Sequence, residues 1–285
     1  MVGTQLKMWR NVSSALHYFC IIALGLIMFF PLIWMASASL KPSNEVFNSL
    51  SLIPSTVMWE NYVEGWQSIK PNTFTVFYKN SFLLIIPVVI GTVISTCLTA
   101  YGFARGNFKF KSFLFILMLS TMMLPDTTTL IPRYLIFVRL GWINTYLPFI
   151  IPSFFAVSSF FTFMMVQFIR GIPRELDESA KIDGCRPIAI LIRIILPMCI
   201  PAIVTMIVFA FIWTWNDFMG QLIYISEVSR FTVTLALQLS LDAHVSVNWG
   251  NLLAMSLVSL LPSIFLYFSA QRYFEEGIAT TGIKG

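Results

Sequence analysis

Nine charged side chains fall between Arg170 and Arg193 in a chain where only 11% of residues are charged: Arg170, Arg174, Glu175, Asp177, Glu178, Lys181, Asp183, Arg186 and Arg193. They belong to a polar stretch, Ile172 to Pro197, set between long apolar runs. Carboxylates and cations at this density require water or another protein to face them, so the chemistry they support is charged contact with a partner. Pro173 suits the first position of a helix, and Glu175, Asp177 and Glu178 place carboxylates in its first turns, where the helix dipole favours negative charge. Ile172, Leu176 and Ala180 recur at a spacing of four and predict one apolar stripe, with Glu175, Glu178 and Lys181 on a different face. Gly184 supplies backbone freedom for a turn, and Pro187 and Pro197 punctuate the chain beyond it. The expectation is a polar elbow, with a short helix, a bend and re-entry into an apolar run. The alternative is an ordinary solvated loop with capped ends.

A second cluster, Trp213-Thr214-Trp215-Asn216-Asp217, combines flat aromatic faces with hydrogen-bonding groups inside an apolar run. Polar groups in such runs are expensive and usually face a cavity or a partner helix. Trp213, Trp215, Asn216 and Asp217 are what a sugar pathway requires, since apolar ring faces stack on aromatics and hydroxyls bond to amides or carboxylates. Equally, they are what holds helices together or marks an outer interface. Asp126, beside Thr127, Thr128 and Thr129, carries the same two readings.

Other chemistry lacks its residues. No G-x-x-x-x-G-K-[ST] occurs, so the chain has no P-loop with which to cradle ATP phosphates, and no G-x-S-x-G elbow occurs either. His17 and His244 are the two histidines and have no His or Cys neighbour at metal spacing. Cys20, Cys97, Cys185 and Cys199 include no C-x-x-C pair and read as small hydrophobes. The chain is expected to be no enzyme and to bind no metal and no cofactor of its own. The net charge of +5 comes from Lys and Arg scattered beside apolar runs, so nucleic acid is not an expected partner.

The elements that must carry these residues are set by hydropathy. With 57% hydrophobic residues the chain reads as a polytopic membrane protein whose partner is the lipid bilayer. A bilayer core needs about 20 apolar residues per helix, which predicts a single all-α membrane domain over 1–285 with six spans: 18–38, 80–104, 112–132, 145–169, 198–222 and 250–271. The first run is longer than the usual ~7–15 residue signal core, and is read as a retained helix. Twelve of the 18 Lys and Arg fall on the side that holds the N-terminus and six on the other. Positive-inside bias then puts both termini and the 172–197 elbow in the cytoplasm. Two external segments remain, Lys41 to Lys79, with Trp59, Tyr62, Trp66, Phe74 and Phe77 as interfacial or docking aromatics, and Ile223 to Trp249, with Glu227, Arg230, Asp242 and His244. Pro31, Pro87, Pro125, Pro152 and Pro262 interrupt the spans, as suits helices that shift during transport.

Glu178-Ser179-Ala180, Gly184 six places after Glu178, and Ile194-Ile195-Leu196-Pro197 together resemble the E-A-A, G, I-x-L-P loop of ATP-binding-cassette importer permeases; Ser179 stands where that pattern has Ala. The resemblance covers nearly the whole chain. Pro31-Leu32-Ile33-Trp34, Ser39-Leu40-Lys41, Glu60-Asn61-Tyr62, Asn80-Ser81-Phe82 and Ala100-Tyr101-Gly102-Phe103-Ala104-Arg105 are similar to the carbohydrate branch. Gln271-Arg272-Tyr273-Phe274, Gly277 and Gly282-Ile283-Lys284-Gly285 are similar to the tail of the smaller permease of maltose-type importers.

The resemblance implies a six-helix type I importer permease of a bacterial or archaeal cell membrane that takes up a sugar or oligosaccharide. It implies pairing with a second, related permease, two ATPase subunits that hold the ATP and Mg, and an extracytoplasmic solute-binding protein approached by the second external segment. The elbow would be a coupling helix in a cleft of the ATPase, with Arg174, Glu175, Glu178, Ser179, Ala180, Asp183, Gly184 and Pro197 as coupling residues. The tail, Gly282, Ile283, Lys284 and Gly285, would reach between the ATPase subunits. The loop is shared across importer branches, so amino acid, peptide or ion cargo is the nearest alternative, and a membrane-embedded enzyme or scaffold a more distant one.

Overall fold

Apolar runs can satisfy their backbone polar groups inside a bilayer only as helices or closed barrels. In the computed structural model, which describes residues 2–49, 51–242 and 247–281, every regular element among the described residues is helical. In chain order these begin with α1 (Val2–Ala38), α2 (Glu60–Trp66) and α3 (Phe74–Arg105). Three described helices are long and apolar enough to cross a membrane: His17–Ala38 within α1, all of α3, and Trp249–Tyr273 near the C-terminal end.

The intervening spans are broken. Over 112–132 there are two helices, α4 (Lys111–Thr121) and α5 (Asp126–Arg139). Pro125, extended at ψ 134°, separates them, because a proline disfavours the helical region for the residue before it. Over 145–169 there are α6 (Leu147–Ser153) and α7 (Ser159–Gly171). Between these two, Ala156 is held at φ 51° and Ser158 caps α7 by accepting a hydrogen bond from the Phe161 N–H. A left-handed alanine costs about 1 kcal/mol, so the break runs against local preference.

Beyond α7 come α8 (Glu175–Ile182) and α9 (Pro187–Ile190), a π turn over Leu191–Ile195, then α10 (Leu196–Met198) and α11 (Ile200–Asn216). The Pro187–Met198 and Ile200–Asn216 pieces are bent by 80°. Pro197 and Pro201 have no N–H to donate, so helical bonds on both sides of the bend are missing. The run continues as α12 (Phe218–Tyr224), α13 (Val233–Asp242) and α14 (Trp249–Thr281). Residues 198–222 are thus divided at Asp217, whose Oδ1 caps α12 by accepting from the Gly220 N–H at 2.9 Å.

The chain forms two compact units. One runs up to Lys70 and takes in Ser240–Ser259. Here the buried Asn61 on α2 donates to the Ser39 and Lys41 carbonyls at 2.8 and 2.9 Å. Tyr62 and Ser39 share a hydroxyl hydrogen bond at 2.8 Å. Lys41, only 1% exposed, directs its ammonium to the Ser49 and Ser51 carbonyls. Phe47 packs edge-on to Trp249 at 4.9 Å. The Ser39-Leu40-Lys41 and Glu60-Asn61-Tyr62 motifs therefore hold one another.

The other unit comprises Pro71–Leu239 and the chain from Leu260 onward. Its centre is α3, which presents small residues on two faces, Gly91 and Ser95 on one and Ala100 and Ala104 on the other, and so lets neighbouring backbones approach. A Cβ on Gly91 would lie 2.3 Å from Ser153 Oγ, and Ser95 Oγ donates to the Ser153 carbonyl at 2.7 Å. Cys97, Ala100 and Ala104 pack with Phe161, Met165 and Ile169 of α7 and with Ile190, Leu191, Ala202 and Met206 farther on. Asn80 donates to the Ser229 and Phe231 carbonyls, and Ser81 Oγ accepts from the Val233 N–H, so Asn80-Ser81-Phe82 fixes the turn that leads into α13.

Candidate functional site

The elbow is built as a helix with a programmed stop. α8 carries Glu175, Asp177 and Glu178 in its first turn and Lys181 in its last, the charge order its dipole favours. Gly184 adopts φ +81°. The Gly184 N–H donates to the Lys181 carbonyl at 3.0 Å and the Cys185 N–H to the Ala180 carbonyl at 2.9 Å, the paired bonds of a Schellman stop. A Cβ at Gly184 would meet nothing within 4 Å, so glycine is required by backbone angle and not by space.

The buried face of α8 differs from the expected stripe. Ile172 and Ala180 are buried, but Leu176 is 40% exposed and the inward position belongs to Asp177, 5% exposed. Ile172 sits at the cap of α7 and not in α8, so its spacing to Leu176 does not propagate along one helix. Asp177 is buried because Arg105, the last residue of α3, meets it: Nε lies 2.6 Å from Oδ2. Arg105 Nη2 also donates to the Ile172 carbonyl at 2.7 Å. Asp177 Oδ1 has no hydrogen-bond partner among the described residues and lines a cavity of about 220 Å³ with Tyr101, Arg105, Arg174, Glu178 and Lys181.

The outer face of the elbow mixes charge with bare apolar surface. Arg174, Glu175, Glu178, Ser179, Asp183 and Gly184 are exposed, Ala180 faces the core, and Pro197 is exposed on α10 beyond the π turn. Ile182 is 87% exposed at the tip of α8. Isolated exposed aliphatics need no explanation, but Ile182 and Leu176 share one eight-residue helix whose every other outward residue is polar. The sequence names Asp177 as a first-turn carboxylate and Arg105 within a motif but gives neither a site role, and Ile182 goes unremarked. A bare isoleucine at a glycine-stopped helix end was the available signal for the last.

The fifth-span cluster does not converge. Trp215 is buried against Tyr78, Phe82 and Phe211, with centroids 5.5–6.0 Å away. Trp213, half exposed, stacks on Phe161 at 4.9 Å and meets Phe160 at 5.5 Å. Asn216 Nδ2 donates to the Ile212 carbonyl of its own helix, and Asp217 caps α12. Phe160 in turn lines a cavity of about 860 Å³ whose wall includes both helix breaks, Thr121 and Met122 beside α5 and Val157, Ser158 and Ser159 before α7, with Thr129 and Arg133. Thr121 and Ser159 share a hydroxyl hydrogen bond at 2.7 Å. The Asp126 side chain, His244 and the tail residues Gly282, Ile283, Lys284 and Gly285 lie outside the described residues.

A third constellation ties the loop after α5 to the loop after α12. Asn144, at φ 59°, accepts from the Ser226 and Glu227 N–H groups and donates to Glu227 Oε2 at 3.1 Å. Arg230 reaches Glu227 at 3.1 Å and the Asn144 carbonyl at 2.7 Å. Hydrogen bonds from Ser229 and Asn144 hold the Glu227 carboxyl below its usual range.

Comparison with known proteins gives this geometry its context. Residues 7–280 match the family described as the binding-protein-dependent transport system inner membrane component. The chain is 34% identical over 258 residues to the probable ABC transporter permease protein YurM of Bacillus subtilis, covering 90% of this chain and 84% of that protein. It is 30% identical over 284 residues to the arabinooligosaccharides transport system permease protein AraQ of Halalkalibacterium halodurans, covering 98% and 100%. A solved bacterial ABC transporter involved in the import of the acidic polysaccharide alginate contains a chain of the same fold, with a TM-score of 0.82 over 93% of this chain and 97% of that one at 19% identity.

Proposed function

The chain belongs to the family of binding-protein-dependent transport system inner membrane components, and from that premise we propose that it is one of two permease subunits of an ATP-driven importer for a sugar or oligosaccharide. A second, related permease completes the pathway. Two ATPase subunits supply the ATP and Mg chemistry from the cytoplasm, and a solute-binding protein delivers cargo outside. The sugar assignment rests on the arabinooligosaccharide relative, which aligns with 98% of this chain.

The observation that carries the reading is α8. It is anchored on its inner face by Arg105, stopped at Gly184, and turns Leu176, Glu178 and Ile182 outward. A rigid helix with a mixed apolar and charged outer face suits a cleft in a partner, and the ATPase is that partner here. In this reading α4 with α5 and α6 with α7 each make one crossing, giving six in all with both termini cytoplasmic, and the tail from Gly282 to Gly285 reaches the ATPase pair.

Cargo passes along the cavity onto which both breaks open. Its hydroxyl groups and the Phe160 face, backed by Trp213, offer the stacking and hydrogen bonds a saccharide uses. Trp215, Asn216 and Asp217 do not line that cavity and serve in packing and capping.

Purifying the chain with its natural partners and reconstituting the assembly in liposomes tests the proposal. An ATPase is expected to co-isolate, and loaded binding protein is expected to stimulate its hydrolysis and drive saccharide uptake. Isolation of the chain with no nucleotide-hydrolysing partner would overturn it. Within that assembly, Phe160→Ala or Trp213→Ala is expected to alter uptake without dispersing the complex.

A further inference from the structure

If α8 receives a push from a partner, something must carry that push to the helices that cross the membrane. The covalent connections are poor candidates. Ile172–Arg174 and Asp183–Arg186 are both non-helical, and the second contains the left-handed Gly184. Non-covalent ties are therefore decisive, and one side chain at the end of α3 supplies two of them. Arg105 is continuous with the 32-residue helix α3, meets Asp177 of α8 at 2.6 Å, and holds the Ile172 carbonyl at the end of α7 at 2.7 Å.

Both charged side chains are nearly sealed from water, at 9% and 7% exposure, so the attraction between them is weakly screened. A guanidinium can serve two acceptors at once from a planar fork, which an ammonium on a flexible stem does poorly. The contact with Asp177 is an ion pair: neither Arg105 Nε nor Asp177 Oδ1 makes a hydrogen bond among the described residues, and Arg105 is the charged partner this carboxylate meets.

We infer that Arg105 is a positioning residue that makes α3 and the coupling helix α8 move as one body. The inference rests on the coupling reading above and adds to it the strut through which displacement travels. Arg105 lies behind α8, away from Leu176 and Ile182, so its removal leaves the docking face intact and cuts transmission. The signature is a complex that assembles and hydrolyses ATP at its resting rate but no longer responds to the binding protein.

The test uses the reconstituted complex carrying Arg105→Gln, Arg105→Lys, Asp177→Asn or the exchange Arg105→Asp with Asp177→Arg. Arg105→Gln and Asp177→Asn are expected to lower binding-protein-stimulated hydrolysis, and the saccharide moved per ATP, roughly tenfold. Arg105→Lys keeps the ion pair and gives up the hydrogen bond to the Ile172 carbonyl, so it falls between these and the parent. The exchange is expected to restore part of the loss. On the chain alone, spin labels at Leu98 on α3 and Ser179 on α8 should give a narrow distance distribution that broadens with Arg105→Gln.

Full stimulation and full uptake per ATP in Arg105→Gln would overturn the inference, as would an unbroadened distribution. Failure of both Arg105→Gln and Arg105→Lys to assemble, with no rescue by the exchange, would overturn it in favour of a folding requirement. Should the parent chain bind no ATPase, the coupling reading itself fails, and the distance measurement still judges the strut.

Discussion

Asn61 occupies the space that a side chain at residue 250 would need: a Cβ built on Gly250 would lie 2.5 Å from Asn61 Nδ2 and 2.8 Å from its Cγ. The amide is held there by its bonds to the Ser39 and Lys41 carbonyls, so it cannot swing aside without giving up both. An alanine in a helix is ordinarily favoured over glycine by about 1 kcal/mol, and here the clash reverses the sign. Gly250→Ala is expected to destabilise by about 1–3 kcal/mol, as overpacking does. Asn61→Ala should cost about 2 kcal/mol for two buried hydrogen bonds. Thermal unfolding of the purified protein in detergent measures both, and a Gly250→Ala midpoint at or above the parent's would refute the clash.

At Gly184 the difficulty is the angle alone. Asparagine tolerates the left-handed region better than alanine, and a β-branched residue tolerates it worst. Binding-protein-stimulated hydrolysis should therefore rank Gly184 first, then Asn, then Ala, then Val, with the alanine form losing about 1 kcal/mol of local stability. A valine form as active as the parent would remove Gly184 from the coupling element.

Ile182 offers a clean separation of folding from docking. Its side chain is 87% exposed, so Ile182→Ser should leave the unfolding temperature unchanged. Burial of an isoleucine is worth about 1.5–3 kcal/mol, and the affinity for the ATPase is expected to fall roughly tenfold or more. Titration of labelled ATPase against the reconstituted chain reads this directly. Unchanged affinity would place the contact elsewhere on the elbow.

The Glu227 network predicts an acid limit. Its carboxyl is held below the usual value by Ser229 and Asn144, so the stabilisation is present above the unfolded carboxylate value of about 4.3 and is lost as pH falls through the lower folded value. Hydrogen exchange of the backbone at 142–146 and 225–231, corrected for intrinsic rates, should stay flat from neutral pH down to about 5 and rise below about 4. Glu227→Gln should show the raised exchange already at neutral pH.

The elbow was legible because its instructions are local. Carboxylates in the first turn, Lys181 in the last and Gly184 after it all act within one short stretch, and the observed stop uses Gly184 as expected. The face of α8 was not legible, because its inward residue is chosen by Arg105, 72 positions away from Asp177 in sequence, and no spacing rule reports such a pairing. Membrane character and the first, second and last long helices could be read from hydropathy alone. The divided middle spans could be read only in part. Pro125 announces its break, but Ala156 adopts a left-handed turn against its own preference and carries no mark in the sequence. Likewise Trp213 and Trp215, two residues apart on α11, fall on different faces of a helix, which adjacency in sequence conceals.

Arg105 holds α7 through the carbonyl at position 172, an atom that every amino acid presents, whereas it holds α8 through a carboxylate that only two can offer. Among kindred transporters the side chain at 172 is therefore free to drift within apolar limits. Positions 105 and 177 should change only together, and an inverted pair should turn up wherever one of them has reversed its sign.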